Sequence, residues 1–265
     1  FYTDIIQAIE KTVTDAGFSL VMQQIPSCGD EVQRAAVMER EKRLRGIIFL
    51  GGRLDYSPED LAMLNVPYVC CSYSNQYGTL RIGEYSAVSI ADEEAAQQAV
   101  DHLYGHGHRR IAALICRPDD QSISQLRYQG YCKALAAHGI PLDPELVMCA
   151  GSFDIRDAYD AVCEKLRQGA EFTALFAIAD SMAIGAMRAL RDEGRAVPQD
   201  CSVIAIDGLE LSAYIEPPLT TLCQPMEEMG QRSAQILLGL IHGHGAHCCE
   251  VLPTRLRQGG SVQDI

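Results

Sequence analysis

ALFAIADSMAIGAMRALRDEGRAVPQDCSVIAIDG, residues 174–208, decides the fold. It reads as strand, helix and strand in one unbroken unit. Ala174–Ile178 is a short apolar run, a helix over 180–193 follows and stops at Gly194, and Ser202–Ile206 is apolar again. Continuous apolar strands joined by amphipathic helices are what a parallel sheet covered on both faces requires.

The same alternation extends upstream. Helix 92–104 ends at Gly105 before strand Ile111–Cys116, helix 122–138 ends at Gly139 before strand Leu146–Cys149, and helix 154–168 ends at Gly169. An earlier series opens with helix 4–16, started by Thr3 or Asp4 and closed by Gly17. Strand Phe18–Met22, a helix over about 30–44, strand Ile47–Leu50, a helix start at Ser57-Pro58-Glu59-Asp60 and strand Val66–Ser72 complete it. Two series predict an α/β protein of two doubly wound parallel-sheet lobes. A late helix, 226–242, and a strand, Glu250–Leu256, come after Pro217-Pro218 and return to an earlier lobe. A doubly wound lobe opens on a strand and this chain opens on a helix, which implies a strand ahead of Phe1.

The 265 residues suffice for two lobes with ample core, at 48% hydrophobic residues and a mean hydropathy of -0.02. No apolar run is long enough to span a membrane. A net charge of -13, from 22 basic and 35 acidic residues, leaves no basic excess to track phosphates. Eleven cysteines do not form a disulfide framework, because several (Cys70, Cys71, Cys116, Cys201) sit inside apolar runs as small hydrophobes. A reducing, cytoplasmic setting is the simpler reading.

Ligands of open parallel sheets bind beyond the carboxyl ends of the strands. Reading just past each strand yields Gly51 and Gly52, Ser72 and Tyr73, Arg117 with the helix bearing Arg127, Phe153, Ala179 and Asp180, and Asp207. Each has a plainer alternative. Asp180 stands where a helix N-cap belongs, Asp207-Gly208 reads equally as a turn, and Arg127 as a solvated side chain. Arg and Asp offer fixed donors and acceptors to hydroxyls, and Phe153 an apolar face, which suits a polyol or a heterocycle.

Four segments in order resemble one family. VDHLYGHGHRRIAALI (Val100–Ile115), SQLRYQGYCKAL (Ser124–Leu135), the segment Leu175–Gly208 and IEPPLTTLCQPMEEMG (Ile215–Gly230) resemble the sensor domains of the lactose/galactose-repressor (LacI/GalR) family. The resemblance runs the full length. It implies a periplasmic-binding-protein-like type I fold with three crossovers, near Glu84–Ser86, Leu222–Gln224 and Leu252–Thr254. The N-terminal lobe would then hold residues 1–85 and 224–253, and the C-terminal lobe 86–223 and 254–265. The resemblance further implies a homodimer, a sugar-like effector in the cleft between the lobes, no cofactor, and operator DNA contacted only through a helix-turn-helix domain outside this chain. By position Arg127 and Asp207 match the family's effector-binding arginine and aspartate, Phe153 its stacking aromatic, and Ser72, with Tyr73, a strand-end contact. Ala179 replaces the family's usual asparagine, which leaves the effector's hydroxyl pattern open.

A transporter's solute-binding protein shares the fold and is the alternative. An enzyme is disfavoured, because no recognised catalytic motif is present. His242, His244, His247, Cys248 and Cys249 crowd one segment, but their spacing matches no closed four-ligand metal pattern. On these grounds Arg127→Ala is expected to abolish the response to ligand and leave the fold intact.

Overall fold

The computed structural model describes residues 1–25, 29–119 and 121–265. In chain order the elements begin α1 (Tyr2–Asp15), α2 (Glu31–Lys42), β1 (Ile47–Leu50), α3 (Pro58–Leu61), β2 (Tyr68–Cys71) and β3 (Ala87–Ile90). Then come α4 (Asp92–Gly105), β4 (Ile111–Ile115), α5 (Ile123–Ala137), β5 (Val147–Cys149), α6 (Ile155–Arg167), β6 (Ala174–Ala177) and α7 (Asp180–Asp192). The last elements are β7 (Ser202–Asp207), β8 (Thr220–Cys223), α8 (Met226–Ile241), β9 (Cys249–Leu252) and β10 (Arg255–Arg257). No helix among the described residues is long and apolar enough to cross a membrane.

The chain divides into two compact units, Phe1–Ile90 with Pro225–Pro253 and Ala91–Gln224 with Thr254–Ile265. The first passage between them falls five residues later than the sequence implied. The reason is β3, which pairs with both β2 and β9 and so belongs wholly to the first unit.

The first unit is built on a parallel sheet in the order β1-β2-β3-β9, with α1 packed on α8. Its helix starts are local: Asp30 accepts the Gln33 amide at 2.9 Å, and Ser57 and Asp60 form a reciprocal capping box. The strand expected at Phe18–Met22 is absent. A strand exists only by pairing, this segment pairs with no described residue, and Leu20, Val21 and Met22 are exposed.

The second unit holds a six-stranded sheet, β10-β8-β7-β6-β4-β5, parallel except for β10, which runs antiparallel to β8. β4, β6 and β7 are buried throughout, which is why they read as unbroken apolar runs. The single strand expected at Glu250–Leu256 is instead two, β9 and β10, in different sheets, separated at Pro253-Thr254.

Helix pairs meet at glycine. A methyl group at Gly130 of α5 would overlap the Glu93 carbonyl of α4, one at Gly185 of α7 the Ile155 carbonyl of α6, and one at Gly230 of α8 the Ile5 carbonyl of α1. The ten described cysteines are free thiols. Burial pushes Cys71 up to about 11 and Cys201 up to about 12, so both thiols pack as apolar groups.

Candidate functional site

Parallel strands of the second unit bring their carboxyl ends to one edge, and a buried polar network sits there. Arg127 comes from the helix after β4. It donates from Nε to Asp92 Oδ1 at 2.8 Å, and from Nη1 to the Ile178 carbonyl at 2.5 Å and to Asp207 Oδ1 at 3.3 Å. Asp92 is the first residue of α4, Ile178 follows β6, and Asp207 ends β7. Gln224, just past β8, donates from Nε2 to the same Asp207 oxygen at 2.8 Å, and its backbone N–H donates to the Asp207 carbonyl at 2.9 Å.

One guanidinium thus lies between two carboxylates, all three buried. Burial opposes the charge on Arg127, but Asp92 and Asp207 outweigh it and hold the guanidinium above its ordinary value. Burial pushes Asp92 up against the pull of Arg127. It pushes Asp207 up to about 6, again against Arg127, with Asp180 as a second negative neighbour adding to the rise.

None of the network's hydrogen bonds uses Arg127 Nη2, Asp92 Oδ2 or Asp207 Oδ2, and Gln224 Oε1 is buried with no partner among the described residues. The Gln224 oxygen is buried, and a buried acceptor left unmade costs about 1–3 kcal/mol. Outside its own hydrogen bonds the arrangement leaves one donor, Arg127 Nη2, and three acceptors, Gln224 Oε1 and the second oxygens of Asp92 and Asp207. With two carboxylates against one cation it repels anions, and it matches neighbouring hydroxyl groups.

Asp180 departs from both sequence readings. The N-cap of α7 is Ala179, without a side-chain bond, and Asp180 is the first helical residue. Its fully buried carboxylate accepts the N–H groups of Gly208 at 3.1 Å and Leu209 at 2.8 Å, the Ser212 hydroxyl at 2.6 Å and the Thr221 hydroxyl at 2.5 Å. A carboxylate has about four acceptor positions. Three of these bonds fall on Oδ2 and one on Oδ1, so the Asp180 carboxylate is largely committed within the protein.

Ala179 is buried beside the Ile178 carbonyl that receives Arg127. Phe153 is exposed, and its carbonyl accepts the Ser181 hydroxyl at 2.8 Å, which ties its loop to the start of α7. Ser72 and Tyr73 belong to the first unit. Ser72 takes a left-handed conformation, φ 57°, and donates its N–H to the Val88 carbonyl at 2.8 Å. Tyr73 is a core residue: its ring stacks on Tyr56 and meets Tyr85 edge-on, and its hydroxyl donates to Asn75 Oδ1 at 2.6 Å. With ring and hydroxyl both committed, the structure gives it a packing role.

Asp92 and Gln224 belong to this network, and reading the sequence missed both. Both follow strands, β3 and β8, that show no apolar run. Near the histidine-rich turn, His247 Nδ1 lies 3.1 Å from the Ser86 hydroxyl, and no three metal-ligating side chains converge among the described residues.

Comparison with known proteins gives a consistent result. Residues 100–262 match the periplasmic binding protein-like domain. The HTH-type transcriptional regulator MalR of Clostridium butyricum is 32% identical over 100% of this chain and 79% of its own length. Among solved structures, the complex of the transcriptional regulator CelR with cellobiose is 31% identical, with a TM-score of 0.85 over 98% of this chain and 78% of that one. The Lac repressor dimer bound to operator and the anti-inducer ONPF is 28% identical, with a TM-score of 0.85 over 98% and 89%. The fold is that of the periplasmic-binding proteins, and these relatives are regulators rather than enzymes. The chain belongs to the lactose/galactose-repressor (LacI/GalR) family of transcriptional regulators.

Proposed function

We propose that this chain is the sensing part of a transcriptional repressor and binds a neutral, polyhydroxylated molecule, a sugar or a close relative, at Arg127, Asp207 and Gln224. The observation that carries the reading is the buried network of one arginine and two carboxylates in which Gln224 Oε1 has no partner among the described residues. The cellobiose held by the CelR relative supports the ligand class. Asp207 Oδ2 and Gln224 Oε1 would accept from adjacent hydroxyls, Arg127 Nη2 would donate to one of them, and exposed Phe153 would cover an apolar sugar face.

The protein pairs with a second copy, as the Lac repressor does, in the cytoplasm. The charge of -13 on this chain leaves no basic excess for phosphates, which supports operator contact through a separate DNA-binding domain. Ligand acts by binding one conformational state more tightly than another.

A thermal-shift screen of sugars, sugar acids, nucleosides and amino acids tests the reading. A ligand at 100 times its Kd adds about 2.7 kcal/mol, so a neutral sugar or polyol should raise Tm while acidic analogues do not. A panel in which no neutral polyhydroxyl compound raises Tm, or in which Asp207→Asn responds as the parent does, would overturn it.

A further inference from the structure

The loop that follows Asp207 is gripped from two sides by opposite charges. Asp180 takes the N–H groups of Gly208 and Leu209 and the hydroxyl of Ser212. Arg257, on β10, takes the other poles of the same residues. It donates to the Gly208 carbonyl at 3.4 Å, the Leu209 carbonyl at 3.1 Å and Ser212 Oγ at 2.5 Å. Its Nη2 lies 3.9 Å from Asp180 Oδ2, so the two charges face each other across the loop.

The backbone at this point needs such a grip. Asp207 has φ 141° and Gly208 φ 81°. A non-glycine residue in that region is strained by about 1–3 kcal/mol and persists only where its surroundings over-determine it. Any side chain at Gly208 would overlap Cys223, so the turn has no alternative packing. Toward its own sheet, the Asp207 carbonyl accepts only the Gln224 N–H among the described residues. Arg127 and Gln224 hold the Asp207 carboxylate at Oδ1, and the remaining restraint on the turn comes through residues 208–212.

We propose that Asp180 and Arg257 are positioning residues for the effector site, an ion-paired clamp on the 208–212 loop that keeps the Asp207 carboxylate aimed at its ligand. The proposal rests on the reading of Asp207 as a ligand contact. It moves Asp180 from the list of contacts to the support beneath them. Burial and the negative charge of Asp180 both raise the proton affinity of Asp207, so loosening the clamp and neutralising Asp180 act in the same direction.

The test uses the full chain with Asp180→Asn and, separately, Arg257→Met. Amide hydrogen exchange follows Gly208 and Leu209, and carbon-13 titration follows the Asp207 carboxyl, identified by its loss in Asp207→Asn. Both variants should speed exchange at the two amides by about tenfold or more, the size expected when a buried hydrogen-bond partner is removed. In Asp180→Asn the Asp207 midpoint should fall from about 6 toward the ordinary carboxylate range; in Arg257→Met, which removes a cation beside Asp180, only a loosened and better-solvated loop brings it down, and in both the amides of β4 and β6 should stay protected. A folded variant with unchanged exchange and midpoint overturns the proposal. Faster exchange with an unmoved midpoint marks a merely structural pair and also overturns it. If Asp180→Asn does not fold, Arg257→Met decides alone. Neither readout needs a ligand, so a screen that finds no effector would sink the functional reading and leave the clamp standing or falling on its own result.

Discussion

Arg127 is the residue on which both stability and the proposed function turn. Its position in the sequence allowed a solvated side chain, and Arg127→Ala was expected to leave the fold intact. The structure changes that expectation, because removal would leave Asp92 and Asp207 buried without a cation. Breaking such a pair costs about 3–5 kcal/mol. We expect Arg127→Ala to lose that much in denaturant unfolding at pH 7, and less at pH 5, where Asp207 takes up a proton. Asp207 itself carries the opposite sign. Its folded pKa of about 6 lies above the ordinary value near 3.9. The stability it contributes is therefore present at pH 4 and lost as pH rises through 6. Two units correspond to about 3 kcal/mol. Asp207→Asn should accordingly raise the Tm of the ligand-free chain at pH 7, match the parent near pH 4, and lose the response to effector.

At the scale of elements, the sequence revealed the long apolar strands and hid two short ones. β3 (Ala-Val-Ser-Ile) and β8 (Thr-Thr-Leu-Cys) carry hydroxyl side chains in buried positions. In β8 both hydroxyls are absorbed by partners distant in sequence. Thr221 donates to Asp180, and Thr220 Oγ1 accepts the Gly259 N–H at 3.0 Å. No local pattern reports such bonds, so the strands went unseen, and with them the residues just beyond their ends. Asp92 lies two residues after β3 and Gln224 one after β8. The strand-end rule that found Arg127 and Asp207 would have found both. Helix packing is legible only in part: the glycines were visible, but their role at the helix contacts was not. Gly185→Ala should lose about 1–3 kcal/mol by overpacking against the Ile155 carbonyl. Gly105→Ala, which meets nothing within 4 Å at the end of α4, should be neutral or slightly stabilising. Thermal melts of the two variants side by side check the contrast.

At the scale of the molecule, each unit is assembled from separated stretches of chain. The second unit ends one stretch at Gln224 and resumes at Thr254. Cys223 pairs antiparallel with Arg255, so those two ends emerge side by side as the arms of a hairpin. A two-residue turn such as Asn-Gly suits that geometry. Residues 91–224 joined by it to 254–265 should therefore melt cooperatively and retain Arg127, Asp92, Asp207, Gln224 and the Arg257 clamp. Residues 91–224 alone should not, since they lack β10 and Ser261, whose hydroxyl donates to the Val203 carbonyl at 2.6 Å and accepts the Thr220 N–H at 2.8 Å. Calorimetry of the two fragments tells them apart. The β8–β10 pairing has one more consequence. Helix α8 and strand β9, which complete the first unit, are a guest spliced into a hairpin of the second. Host and guest are inherited together, because the guest leaves and re-enters the second unit at the two ends of one β8–β10 ladder.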